Sequence, residues 1–193
     1  MWNERAALCA AVFGVLACGS AAGQFSWDES VDGDLTGDRF APQLLVAAEG
    51  TNTITGTVIA GDLDYFRFVV PDGLELAEIN LVDYQSTADQ IAFIAVQSGS
   101  EFTVDADAAD PTTLLGYLLY GPTNVGLNVI DDIGMGPGSI GFSGPLPAGE
   151  YSFWNQQTGS DLTTYSFEFV LVPGPGSLAL LGAAGLGAVR RRR

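Results

Sequence analysis

The sequence predicts an all-β protein: a single β-sandwich or jelly roll, preceded by a signal helix and followed by a short C-terminal hydrophobic helix. Three observations carry this. Aromatic and β-branched residues recur at every second position in several short segments. Clusters of Gly, Pro and Asp separate those segments. No long amphipathic helical period runs between residues 23 and 173.

At the N-terminus, Arg5 supplies a positive region and residues 6–17 an uncharged apolar run of twelve. Ser20-Ala21-Ala22 then offers the small residues that a signal peptidase reads. Cleavage is expected after Ala22 or Gly23. Val15-Leu16-Ala17-Cys18 also resembles a lipobox, which would make a lipidated Cys18 the mature N-terminus. Simple secretion is preferred, with lipoprotein export as the alternative. Residues 1–22 are thus a signal peptide and residues 23–49 an acidic lead-in. Its segment 24–42 reads either as disordered or as a cap strand laid on the sandwich.

The sandwich is expected over residues 50–172. Residues 54–58 form a first strand candidate. In 65–70, Phe66, Phe68 and Val70 share one face. Ala77, Ile79 and Leu81 alternate with Glu78 and Asn80. Residues 91–96 are apolar on both sides and read as a central strand. Further strands are expected at 114–120, 128–130 and 151–155, with the glycine-rich stretch 134–144 as a loop. In the last strand, Tyr165, Phe167, Phe169 and Leu171 oppose Ser166, Glu168 and Val170. About eight short strands at this spacing make a sandwich.

Charge narrows the function. Of the 23 acidic residues only Glu4 precedes residue 23, so the body carries 22 acids against Arg39 and Arg67, a formal charge of −20. The body has no Lys, His or Cys; both cysteines, Cys9 and Cys18, lie in the leader. No basic patch exists to neutralise phosphates, so nucleic acid is excluded as a partner. Serine and cysteine triads lack their His, and zinc lacks its usual His and Cys ligands. No G-x-x-x-x-G-K phosphate loop and no Asp-Thr-Gly or Asp-Ser-Gly signature is present. Carboxylate-pair chemistry of the glycosidase kind stays formally open.

The tail, residues 173–193, has three parts. Pro173-Gly174-Pro175 breaks the chain, residues 178–189 carry no charge, and Arg190, Arg191, Arg192 and Arg193 close it. This order resembles the PEP-CTERM sorting tail of Gram-negative and related bacteria; the family's central Glu is Gly174 here. The resemblance implies recognition by an exosortase, transient inner-membrane insertion through the tail, and release to the cell surface or extracellular matrix. It also implies association with exopolysaccharide, since such sorting systems often accompany polysaccharide export. The thirteen residues from Ser177 to Val189 would span about 20 Å as a helix. That is short of a hydrocarbon core of about 30 Å, so a transient signal fits better than a permanent anchor.

A second resemblance lies in the body. Gly61-Asp62-Leu63-Asp64-Tyr65-Phe66-Arg67-Phe68-Val69-Val70-Pro71 is similar to the G-D-x-D-x-F-x-F-x-V-P signature of bacterial pre-peptidase C-terminal domains. Leu146-Pro147-Ala148-Gly149-Glu150-Tyr151 is similar to their later L-x-A-G-x-Y segment. Those domains are small secreted β-sandwiches, which implies an accessory, non-catalytic role.

Candidate sites follow. Asp62 and Asp64 stand two residues apart at a strand start, where acidic oxygens could hold Ca²⁺ or simply solvate a turn. Asp32 with Asp34 and Asp38, and Asp105 with Asp107 and Asp110, are further acidic candidates that read as loops; none fits the EF-hand pattern. Tyr151, Phe153 and Trp154, followed by Asn155, Gln156 and Gln157, could stack a sugar ring, or could be core. The sequence thus predicts an exported, non-catalytic surface or matrix protein, handled by signal peptidase and an exosortase. The alternatives are a Ca²⁺-dependent carbohydrate-binding module or adhesin, and a carboxylate-dependent glycoside-active enzyme. No cofactor is certain; Ca²⁺ is the candidate.

Overall fold

The computed structural model describes residues 23–87, 90–108, 110–157 and 159–176. In chain order the main elements are β1 (Ser26–Asp28), α1 (Glu29–Asp32), β2 (Gln43–Leu44), β3 (Gly50–Val58), β4 (Leu63–Val70) and β5 (Leu74–Ser86). β6 (Ala92–Ser98), β7 (Gly116–Tyr120), α2 (Ile130–Gly134), β8 (Gly149–Gln157) and β9 (Thr163–Pro173) follow. The strands form two sheets. One has the order β1-β3-β9-β5 and the other β2-β4-β8-β6-β7. The chain therefore changes sheet at every step from β1 to β6, runs β6, β7 and β8 within the five-stranded sheet, and crosses back between β8 and β9.

Periodicity explains which face each strand buries. In β4, Phe66, Phe68 and Val70 are buried, as the two-residue period requires. In β9, Tyr165, Phe167, Phe169 and Leu171 do the same from the opposite sheet. β5 breaks the period: its buried residues are Leu76, Ile79, Leu81 and Tyr84. Its pairing with β9 shifts register at Leu76/Glu78 and Leu81/Asp83. Each bulge adds a residue, so the spacing of three at those places keeps the apolar side chains inward.

The centre of the sandwich is aromatic. Phe153 of β8 stacks between Phe66 and Phe68 of β4, with ring centroids at 5.0 and 5.1 Å. Phe169 of β9 meets all three rings edge-on at 5.3 to 5.7 Å. A second cluster sits on the outer face of the five-stranded sheet. There Tyr65, Ala95 and Trp154 are covered by Phe102, Val104 and Leu114 of the loop between β6 and β7.

The lead-in is a cap strand. β1 pairs parallel with the edge of β3, Ser26 opposite Thr53 through Asp28 opposite Thr55. Leu35 is buried behind it, and the Tyr65 N–H donates to the Thr36 carbonyl at 2.9 Å. The expected strand at 128–130 is instead a single bridge, Asn80 to Asn128, followed at once by α2. Asn128 explains the change, because its Oδ1 accepts from the N–H groups of both Ile79 and Ile130 and turns the chain into a helix.

One expectation is corrected. Among the described residues no helix is long and apolar enough to cross a membrane. α1 has four residues and α2 five, against about 20 for a spanning helix. The transmembrane helix is therefore withdrawn. Transient inner-membrane insertion through the tail goes with it, as does a stop at the inner membrane. The two expected flanking helices, Ala22, Cys18 and the terminal arginines all fall in residues 1–22 and 177–193, outside the described residues.

Candidate metal centre

Local turn chemistry brings three carboxylates together. Asp28 caps α1, its Oδ1 accepting from the Ser30 N–H at 2.9 Å and the Ser30 hydroxyl at 2.7 Å. Gly33, with φ of +93°, then ends the turn in a conformation that favours glycine. The chain doubles back, which leaves Asp34 exposed and the next residue, Leu35, buried. Glu29, the first residue of α1, reaches over β3. Its Oε2 accepts from the Thr57 N–H at 2.7 Å and its Oε1 from the Leu35 N–H at 3.4 Å.

Gly56 makes that reach possible. A Cβ there would lie 2.6 Å from the Tyr165 hydroxyl oxygen and 2.8 Å from the Glu29 carboxyl carbon. Any other residue would push these two groups apart.

Asp64 completes the group. It lies on the buried face of β4 with Phe66 and Phe68, and its exposure is 0%. Its Oδ2 accepts from the Tyr165 hydroxyl at 2.6 Å, while its Oδ1 is buried with no hydrogen-bond partner. Each of Glu29, Asp34 and Asp64 offers a carboxylate oxygen, and these lie within 4.8 Å of one another. This is the one such group among the described residues. It could coordinate a divalent ion. The donors are all oxygen, as hard cations require.

The electrostatics follow from burial. Desolvation raises the Asp64 carboxyl to about 8; the Tyr165 hydrogen bond opposes this, while the charges of Glu29, Asp62 and Asp34 add to it. Burial also raises Glu29. Asp62 is half-buried at the turn before β4, and desolvation, then the Asp34 charge, raises it. It stands outside the group of three. Tyr165 is held well above its ordinary value by burial and by the Asp64 charge.

The sequence paired Asp64 with Asp62; the fold brings Asp64 to Glu29 and Asp34. Asp34 carried a signal, as part of Asp32-Gly33-Asp34. Glu29 carried none, because its relation to Asp64 exists only once β1 lies on β3.

The other candidates have local partners. Asp32 accepts from the Asp28 N–H and Asp38 from the Phe40 N–H. Asp105 accepts from the Asp107 N–H and pairs with Arg39 at 3.0 Å, and Asp110 caps the turn at Thr112. Trp154 is 1% exposed and lies between Tyr65 and Ala95 in register, so its ring offers no stacking face. Asn155 and Gln157 are buried as well. Of the tail motif, Pro173 ends β9, the Gly174 N–H donates to the Gly73 carbonyl at 2.8 Å, and Pro175 lies beside it on a groove with Leu74 and Ala148.

Stability of the metal-free protein should depend on Asp64. Its folded value, about 8, exceeds its ordinary value of 3.8. Across that window the folded chain holds a proton that the unfolded chain has lost. The contribution is full below the lower value and is lost as pH rises to the higher one, by up to about 1.4 kcal/mol per pH unit. In a chelator, Asp64→Asn should therefore gain stability over the wild type as pH rises from about 4 to about 8. Urea unfolding at several pH values reads this. A difference that stays flat with pH would refute the assignment.

No protein-family model, no curated protein and no solved structure matches the chain.

Proposed function

We propose that this is an exported, non-catalytic surface or extracellular-matrix module that takes Ca²⁺ at its acidic end. The observation that carries the reading is the buried Asp64 carboxylate with one oxygen unpartnered, beside Glu29 and Asp34. A buried polar atom without a partner is costly, and a bound cation supplies the missing interaction. The leader at Arg5 to Ala22 and the motif at Pro173, Gly174, Pro175 and Arg190 to Arg193 support export and exosortase sorting. No membrane-inserted step belongs to this reading. Exopolysaccharide is the partner it favours.

The glycosidase alternative is less well supported. Such enzymes need two carboxyl groups flanking a substrate bond. Here Glu29 borders an open cleft but Asp64 is shut from solvent, so the pair cannot flank a substrate. The same cleft favours a second reading, Ca²⁺-dependent carbohydrate binding. It has a volume of about 270 Å³ and is lined by Glu29 together with the hydroxyl residues Ser30, Thr55, Thr57 and Thr164. Carboxylate acceptors beside hydroxyl donors suit a polyol.

Three outcomes are expected. Millimolar CaCl₂ should raise Tm more than NaCl at matched ionic strength, since ligand that binds only the folded form adds RT ln(1 + [L]/Kd). Equal shifts would mean general screening and remove the Ca²⁺ part of the reading. Mass spectrometry of exported protein should find an N-terminus at Gly23 or Gln24; a lipidated Cys18 would replace secretion with the lipoprotein route. A glycan array that shows binding only without EDTA would establish the carbohydrate reading, and an array blank in both conditions would remove it.

A further inference from the structure

We propose that Glu29, Asp34 and Asp64 form a single hard-cation site that clamps the N-terminal strap, residues 24–42, onto both sheets of the sandwich. The inference rests on the Ca²⁺ reading above and adds to it the ligand set and what the ion holds together.

The three ligands come from two parts of the fold. Glu29 and Asp34 belong to the strap, and Asp64 to β4 of the five-stranded sheet. Asp64 is in turn bonded to Tyr165 of β9, in the four-stranded sheet. One ion therefore touches the strap and one sheet, and lies a single hydrogen bond from the other. A second observation points to a ligand independently of the acidic cluster. The Asp64 side chain is wholly buried, and its Oδ1 has no partner.

The rest of the strap is attached at separate points. β1 pairs with β3 over three residues. Beyond that, the strap holds by Phe25 against Phe68 and Phe169, Glu29 on the Thr57 N–H, the buried Leu35, the Thr36–Tyr65 bridge, and Arg39, which donates to the Thr103 carbonyl and pairs with Asp105. Exposed ion pairs contribute little. Between these attachments, two strap carboxyls face a third on the body, and ionising all three there would set like charges against one another. A divalent cation removes that cost and makes the contact attractive. It also keeps β1 over the edge of β3, which would otherwise present unpaired backbone groups to neighbouring chains. All-oxygen donors suit Ca²⁺, which accepts variable geometry, whereas Mg²⁺ demands a near-ideal octahedron.

The test is hydrogen exchange on the full chain, with calorimetry alongside. CaCl₂ should bind at one ion per chain. It should also slow amide exchange across residues 24–42 by about tenfold or more, with β6 and β7 unchanged and matched NaCl without effect. MgCl₂ should do less. Asp34→Asn should abolish both binding and protection. Asp34 is exposed and its carboxylate makes no hydrogen bond among the described residues, so the variant should keep its fold. Binding of Ca²⁺ without added protection of the strap would overturn the clamp and leave the Ca²⁺ reading standing. Wild-type affinity in Asp34→Asn would overturn the ligand set. Absence of binding at millimolar CaCl₂ would overturn both.

Discussion

The rest of the structure depends on the interlock of Phe169 with Phe66, Phe68 and Phe153. The body has no cysteine, so no disulfide joins its two sheets. They are held by burial and by ring geometry. Three rings from one sheet stack, and one ring from the other enters edge-on. Edge-to-face contact places the positive rim of one ring on the negative face of another, which adds direction to an otherwise non-directional attraction. This sets how β4 and β8 lie across β3 and β9, and so where the ends of those strands stand.

One consequence is the position of Asp64. It follows the same two-residue period as Phe66 and Phe68, so the face that builds the core also draws a carboxylate inward. The aromatic packing would tolerate an apolar residue there at least as well. Instead the position holds a buried acid, a tyrosine hydroxyl that serves one of its oxygens, and a glycine on β3 that leaves room for a second acid. Further polar groups extend the theme at this level. The Tyr120 hydroxyl donates to buried Asn155 at 2.7 Å, and Gln157 donates to Thr163 at 3.2 Å. The core is thus apolar in the middle and polar at the end where the strap crosses.

The outer faces differ in the same functional sense. The five-stranded sheet is covered by the loop carrying Phe102, Val104 and Leu114, which turns Trp154 into a core residue. The four-stranded sheet presents Thr55 and Ser166, whose hydroxyls bond each other at 2.9 Å across β3 and β9. The strap side of this sheet is polar. There the hydroxyl-lined cleft and the acidic group share Glu29.

The sequence by itself determined the β character, because a period of two in strands such as 65–70 and 165–171 is a local property of the chain. It also determined the acidity of the body, and it marked Asp64. It did not reveal β5's bulges, since Leu76, Ile79, Leu81 and Tyr84 match no regular period until the partner strand is known. It could not settle Trp154, whose alternatives differ only in whether a distant loop lies over it. Nor could it choose between a disordered lead-in and a cap strand, because three residues of parallel pairing leave almost no pattern. That choice created the site. Glu29 and Asp64 are 35 residues apart, and their meeting depends on β1 finding the edge of β3. Local periodicity reports which face of a strand is buried; which carboxylates converge is decided by non-local pairing, and only the tertiary structure contains it.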